Sequence, residues 1–216
     1  MSIVIFALIL LLAFAPAALG WFYINRRGVK LRVYFALVFL GGGVLSLAFA
    51  AFAQAFLPEI YLETGIESIF FEFLRTAFLE EVSRFIVLSI CFTLVRRVFR
   101  VTLNNALASS GGLLAGLSFA ALETAAHAAT ETGALLTRAL SAAPLHGACG
   151  LRCAQSANCV KGSPVKALGR FASAAALHGF YNLMIPRGGL SSALAIILAI
   201  SSLISGLRPI NNAANE

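Results

Sequence analysis

Two glutamates, Glu80 and Glu81, stand side by side inside Ser68–Val95, a stretch otherwise apolar and long enough to cross a lipid bilayer. A charged side chain at mid-bilayer costs roughly 2.5 to 3.5 kcal/mol on insertion scales, so an ionisable residue kept there marks function by default. Arg84 follows Glu80 by four residues, which places both on one helix face and predicts an ion pair that lowers the cost of each. Glu81 is turned about 100° away and is expected to face a different neighbour. Three further apolar segments carry groups of the same kind: Glu123 four residues after Phe119, a lone His146, and His178 with Asn182 four residues on. Carboxylates, imidazoles and an amide are the groups that peptide hydrolysis needs, namely a base for water, donors for an oxyanion and a proton source for the leaving nitrogen. They are also metal ligands. Two histidines and a carboxylate make a catalytic zinc set with one position left for water, so Glu81, Glu123, His146 and His178 form a possible metal group, although no His-Glu-x-x-His helix is present.

The elements that must position these groups follow from composition. Of the 216 residues, 60% are hydrophobic, 12% are charged and none is Asp, which excludes an ordinary soluble domain. The expected fold is an all-α polytopic membrane bundle, a single domain over residues 1–216. A span needs about 20 mostly apolar residues. Seven segments qualify: Ser2–Ile24, Val33–Leu57, Ser68–Val95, Ala106–Ala126, Leu135–Cys153, Ala167–Ile185 and Leu190–Leu207. The first is too long for a cleavable signal and lacks its basic start, so it is read as retained. The net charge of +7 is gathered in short loops (Arg26, Arg27, Lys30, Arg32; Arg96, Arg97, Arg100; Arg152, Lys161, Lys166, Arg170) and reports orientation, not nucleic-acid binding. By the positive-inside rule these loops and the tail after Arg208 are cytoplasmic, while the N-terminus and the acidic loop with Glu59, Glu63 and Glu67 are outside. The longest loop is expected between Leu151 and Lys166. Pro144 is expected to free a carbonyl and kink its helix just before His146. Cys149, Cys153 and Cys159 lie toward the cytoplasmic end, where thiols stay reduced, and their spacing with Cys91 matches neither a disulfide framework nor a metal signature.

Residues on different helices can build one site only at one depth. With Glu72, Glu131, Arg138 and Arg187 as markers of the outer interface, Glu81, Glu123, His146 and His178 lie eight or nine residues inward. At 1.5 Å per residue this is about 12 to 14 Å, near the middle of a core about 30 Å thick. His127 fails this test and is expected at the outer loop. Glu72 and Arg75 are read as a structural pair.

The chain resembles the PrsW family of intramembrane proteases, within the clan of the CAAX-processing and bacteriocin-processing membrane proteases. The resemblance runs from Phe14-Ala15-Pro16-Ala17 through Phe78-Leu79-Glu80-Glu81-Val82-Ser83-Arg84, Gly116-Leu117-Ser118-Phe119-Ala120-Ala121-Leu122-Glu123, Arg138-Ala139-Leu140 with Pro144-Leu145-His146, and Leu177-His178-Gly179-Phe180-Tyr181-Asn182. It departs from the family at Arg84, where Lys is usual, at Thr124, where Asn is usual, and at Asn182, where Asp is frequent and the CAAX-type relatives use Asn. The resemblance implies a multi-pass protease of the cell membrane that cuts a single-pass membrane protein, in PrsW-type systems an anti-sigma factor, near its extracytoplasmic juncture. It favours metal-free chemistry with no cofactor: Glu80 or Glu81 as base on water, His178 and Asn182 on the oxyanion, His146 with Glu123 orienting water or moving protons, and Arg84 holding one acid ionised. A zinc-dependent version stands beside it. The same clan holds the non-catalytic scaffold subunit of gamma-secretase, so an assembly subunit is the alternative, and a proton-coupled transporter a further one.

Overall fold

A computed structural model describes residues 3–29, 31–57, 65–130 and 134–213. Lys30, Glu59, Glu63 and the depth marker Glu131 lie outside the described residues. No strand is formed among those described, and the chain is an all-α membrane helix bundle. Its elements are α1 (Ile3–Arg26), α2 (Val33–Ala55), α3 (Ile66–Phe73), a π-helical segment (Leu74–Phe78), α4 (Leu79–Arg97), α5 (Asn105–Thr130), α6 (Ala134–Cys159), α7 (Pro164–Met184), a 3-10 turn (Ile185–Arg187), α8 (Gly189–Gly206) and α9 (Arg208–Asn212). Ala7–Arg26, Val33–Ala55, Asn105–Ala128 and Gly189–Asn212 are long and apolar enough to cross a membrane on those grounds alone. The rods around α4, α6 and α7 are as long, but their charged and polar residues lower the mean hydropathy.

Burial sorts the rods by role. α5 is almost wholly enclosed, while α1, α2 and α8 keep most of their surface on the outside, as lipid-facing helices do. α5 packs chiefly on α6, and also on α1 and α2. Lipid removes the hydrophobic drive for helices to associate, so close packing of small residues has to supply it. Gly116 shows how close: a Cβ there would sit 2.1 Å from the His146 carbonyl oxygen, and one at Gly150 would sit 2.2 Å from the Gly112 oxygen. Gly43 of α2 is held the same way, its Cβ position 2.3 Å from the Ala115 oxygen, and the Ser118 hydroxyl donates to the Leu40 carbonyl at 2.8 Å.

Several expectations need correction. The third span is not one regular helix, because the π-helical segment interrupts it just before Glu80; the Thr76 hydroxyl donates back to the Glu72 carbonyl at 2.7 Å, a bond that commonly bends helices. Glu67 belongs to α3, not to a loop. The long loop from Leu151 does not form: α6 runs on to Cys159 and α7 starts at Pro164. Arg152, counted above as a loop charge, is therefore helical and donates to the carbonyls of Ala148 and of Ser202 in α8. At the end of the bundle carrying Arg26, Arg96 and Arg97, α9 folds back, buries Ile210 completely and receives a hydrogen bond from Tyr23 on Asn211.

Candidate functional site

α4 enters the site through Glu81, whose side chain is fully buried. One of its oxygens, Oε1, accepts from Arg84 Nη1 and, at 2.7 Å, from His178 Nδ1; the other, Oε2, accepts from the Cys153 thiol at 3.3 Å. The expected partnership of Arg84 with Glu80 is thus replaced by one with Glu81. Both spacings are within reach on a helix, and the direction of the guanidinium decides between them. Arg84 points at α5 and α6, where its carbon centre lies 4.4 Å over the Phe119 ring and Nη2 lies 3.1 Å from His146 Nδ1. Glu81 faces the same way. Glu80 does not, and its Oε2 is buried without a hydrogen-bond partner.

α5 and α6 supply the second half. Glu123 Oε2 meets His146 Nε2 at 2.7 Å, and its Oε1 meets Arg138 at 2.6 Å. Since a guanidinium only donates, His146 Nδ1 must accept from Arg84, so Nε2–H donates to Glu123. By the same logic His178 donates from Nδ1 to the saturated Glu81 carboxylate. Its Nε2 then carries a lone pair, and it faces Glu80 Oε2 at 3.6 Å. The two imidazoles meet edge to face with centroids 5.0 Å apart. Helices α4, α5, α6 and α7 thus bring Glu80, Glu81, Arg84, Glu123, His146 and His178 into one cluster.

Asn182 stands apart from this cluster. It lines a cavity of about 870 Å³ between α3 and α7 whose walls also include Phe73, Thr76, Glu123, Arg138 and His146. Its amide is 3.5 Å from the Thr76 hydroxyl, at the limit of a hydrogen bond, so it can turn to another partner. His127 is half exposed and 3.8 Å from Glu123. Arg138, used as an interface marker, instead reaches inward to Glu123. Sequence reasoning missed Cys153; its signal was the i, i+3, i+7 run of His146, Cys149 and Cys153, which puts all three on one face of α6.

A family model described as PrsW family intramembrane metalloprotease matches residues 30–205. The chain belongs to the PrsW family. No curated protein and no solved structure matches it. As a PrsW-family chain it is an integral membrane peptidase, and its substrates are membrane proteins. The family's description includes a metal, and the site's donors can be tested for one. Two lone-pair atoms, Glu80 Oε2 and His178 Nε2, face each other with no protein donor between them. Ligand atoms of Glu80, His146 and His178 all lie within 4.8 Å of one another. Tetrahedral zinc with bonds of about 2.0 to 2.2 Å holds its ligand atoms about 3.3 to 3.6 Å apart, so one cation would hold this set once the side chains draw in. His146 joins it by releasing Arg84 or Glu123. A second group, Glu81, Cys149 and His178, is equally compact. It is the poorer set, because Glu81 already accepts three hydrogen bonds. Spacing offered Glu81 and Glu123 as carboxylate ligands; of the two compact groups, one contains Glu80 and the other Glu81.

Proposed function

We propose that this PrsW-family chain is an intramembrane endopeptidase that cleaves a single-pass protein of the cell membrane, of the anti-sigma-factor type, near its extracytoplasmic end. The observation that carries the reading is the buried Glu80 Oε2, without a hydrogen-bond partner among the described residues, opposite the lone pair of His178 and one imidazole behind the cavity floor formed by His146 and Glu123. A buried acceptor pair of this kind calls for a donor, and a reacting water is one.

In this mechanism the substrate segment lies in the cavity between α3 and α7. Glu80 removes a proton from water, and the water oxygen attacks the scissile carbonyl carbon. The proton is passed between Glu80 Oε2 and His178 Nε2 and is delivered to the leaving nitrogen. Asn182 turns from Thr76 to donate to the oxyanion. Glu81 does no proton transfer: held by Arg84 and Cys153, it fixes the tautomer and tilt of His178. Glu123, held by Arg138, does the same for His146. A divalent metal, when bound, would be held by Glu80, His178 and His146 and would supply Lewis-acid activation of water. We further propose seven spans with the N-terminus outside, so that the Glu72, Arg138 and Arg187 end faces the exterior.

The test is reconstitution with a candidate single-pass substrate, comparing wild type with Glu80→Gln, Glu81→Gln and His178→Ala, each with and without chelator. Glu80→Gln and His178→Ala abolish cleavage on this reading, and chelator sensitivity selects the metal-dependent version. Equal cleavage by all variants removes the proposal; a scaffold would show no cleavage by any chain, wild type included.

A further inference from the structure

A second concave site lies at the opposite end of the bundle, where α9 packs chiefly on α5 and residues of α5, α6, α7 and α9 line one hollow. It is a cavity of about 340 Å³ whose polar lining is Asn104, Asn105, Gln155, Arg170, Arg208 and Asn212. Among the described residues that line it there is no carboxylate. Two guanidiniums and several amides around one hollow make a donor-rich, positively charged pocket, and its volume falls in the ordinary range of about 300 to 1,000 Å³ for small-ligand sites.

The Gln155 amide is spent on the Ser109 hydroxyl and the Gly206 carbonyl, but other donors of the lining are left available. Asn104 spends only its side-chain oxygen, which accepts the Leu107 N–H at 2.8 Å, so its amide nitrogen is not used there. Among the described residues Arg170 is anchored by Nη1 alone, to the Gln155 carbonyl at 3.0 Å and to the Cys159 sulfur. Arg208 makes no hydrogen bond or ion pair among the described residues. A planar guanidinium fork matches phosphate oxygens two at a time, and an anchored Arg with a second, unspent Arg beside it is how proteins hold such a group. The pocket lies at the same end as Arg26, Arg27, Arg96 and Arg97, the end that an anionic cytoplasmic leaflet attracts.

We propose that this pocket binds a phosphate group, either in the headgroup of an anionic phospholipid or in a soluble phosphate. The ligand joins α9 to α5, α6 and α7 through Arg208 and Arg170, and so fastens the C-terminal end of the bundle. This role does not depend on the peptidase reading, because its site and its readout are separate from cleavage.

The experiment uses the full chain in detergent, titrated with phosphatidylglycerol, with phosphatidylcholine as the uncharged reference, and separately with inorganic phosphate; thermal unfolding and lipid retained on native mass spectrometry are read out. Anything that binds the folded state alone raises its unfolding midpoint in a saturable way. Wild type and Arg97→Gln, which removes an equal charge outside the pocket, show the saturable rise; Arg208→Gln loses it, and Arg208→Lys keeps part of it. A rise with phosphatidylglycerol only assigns the lipid source, and a rise with inorganic phosphate assigns a soluble ligand. The proposal fails if Arg208→Gln and Arg97→Gln respond alike, which is diffuse surface charge, or if neither anion gives a saturable shift. Arg208 is exposed and makes no hydrogen bond or ion pair among the described residues, so its replacement leaves the fold intact for the measurement.

Discussion

Replacing Gly116 with Ala tests whether activity depends on how closely α5 and α6 approach. The new Cβ would lie 2.1 Å from the His146 carbonyl oxygen and 2.8 Å from its carbon, whereas ordinary contact starts near 3.4 Å. Backbone cannot yield as a side-chain tip can, so the helices must part by about 1.3 Å, the difference between those distances. The bond between His146 Nε2 and Glu123 Oε2 crosses this same interface at 2.7 Å, and parting the helices stretches it beyond hydrogen-bonding range. Overpacking of this kind costs about 1 to 3 kcal/mol of stability. Misplacing a catalytic group by about 1 Å costs on the order of 100-fold in rate, or about 2.7 kcal/mol of barrier. Gly41→Ala is the control, since nothing lies within 4 Å of its Cβ position. The assay is cleavage of a reconstituted single-pass substrate, with thermal unfolding of the same preparations. A Gly116→Ala protein that cleaves at the wild-type rate would refute the claim that this contact sets the position of His146.

The adjacent acids should separate by phenotype: Glu81→Gln leaves Arg84 buried opposite a neutral group and costs about 3 to 5 kcal/mol in denaturant unfolding, whereas Glu80→Gln unfolds like wild type and loses cleavage. Cys153→Ala removes the thiol that donates to Glu81 and lowers stability by about 0.5 to 1.5 kcal/mol, and Cys153→Ser, which keeps a donor, recovers most of it in the same measurement. Cobalt(II) or zinc(II) binding, followed by absorption spectra and metal content, is lost in Glu80→Gln and in His178→Ala but retained in Cys149→Ser; retention in the first two would show that the metal group is assigned wrongly.

How far the site was legible from sequence differs residue by residue. Counting rise along each helix grouped Glu80, Glu81, Glu123, His146 and His178, and the structure brings these five side chains together, although a π turn lies between Glu72 and Glu81 and Arg138 points inward. The choice of partner could not be read in this way. Glu80 and Glu81 are both within reach of Arg84, and only the positions of Phe119 and His146 on neighbouring helices turn the guanidinium toward the second of them. Arg138 was read as an interface marker because its position in the chain says nothing of a long side chain reaching inward. Of the fold, the bundle and the approximate ends of its helices follow from hydropathy. The continuation of α6 past Cys153 does not, since Arg152, Gln155 and Asn158 look like loop residues until α8, Ser109 and Arg96 satisfy them.

The π-helical segment Leu74–Phe78 carries a further consequence. A π turn absorbs one extra residue, turning less per residue than an α-helix does, so the halves on either side keep the phase of a helix one residue shorter. Deleting one of these five residues would let α3 and α4 join as an unbroken α-helix with Glu80 and Glu81 still in phase with Glu72 and Phe73. Closing the π turn with all five residues kept would instead swing the acids by about 100°, so that docking either half correctly would mis-aim the other. A one-residue gap in an alignment is thus absorbed within Leu74–Phe78 and would rotate the acids if it fell in the α-helical turns beside it.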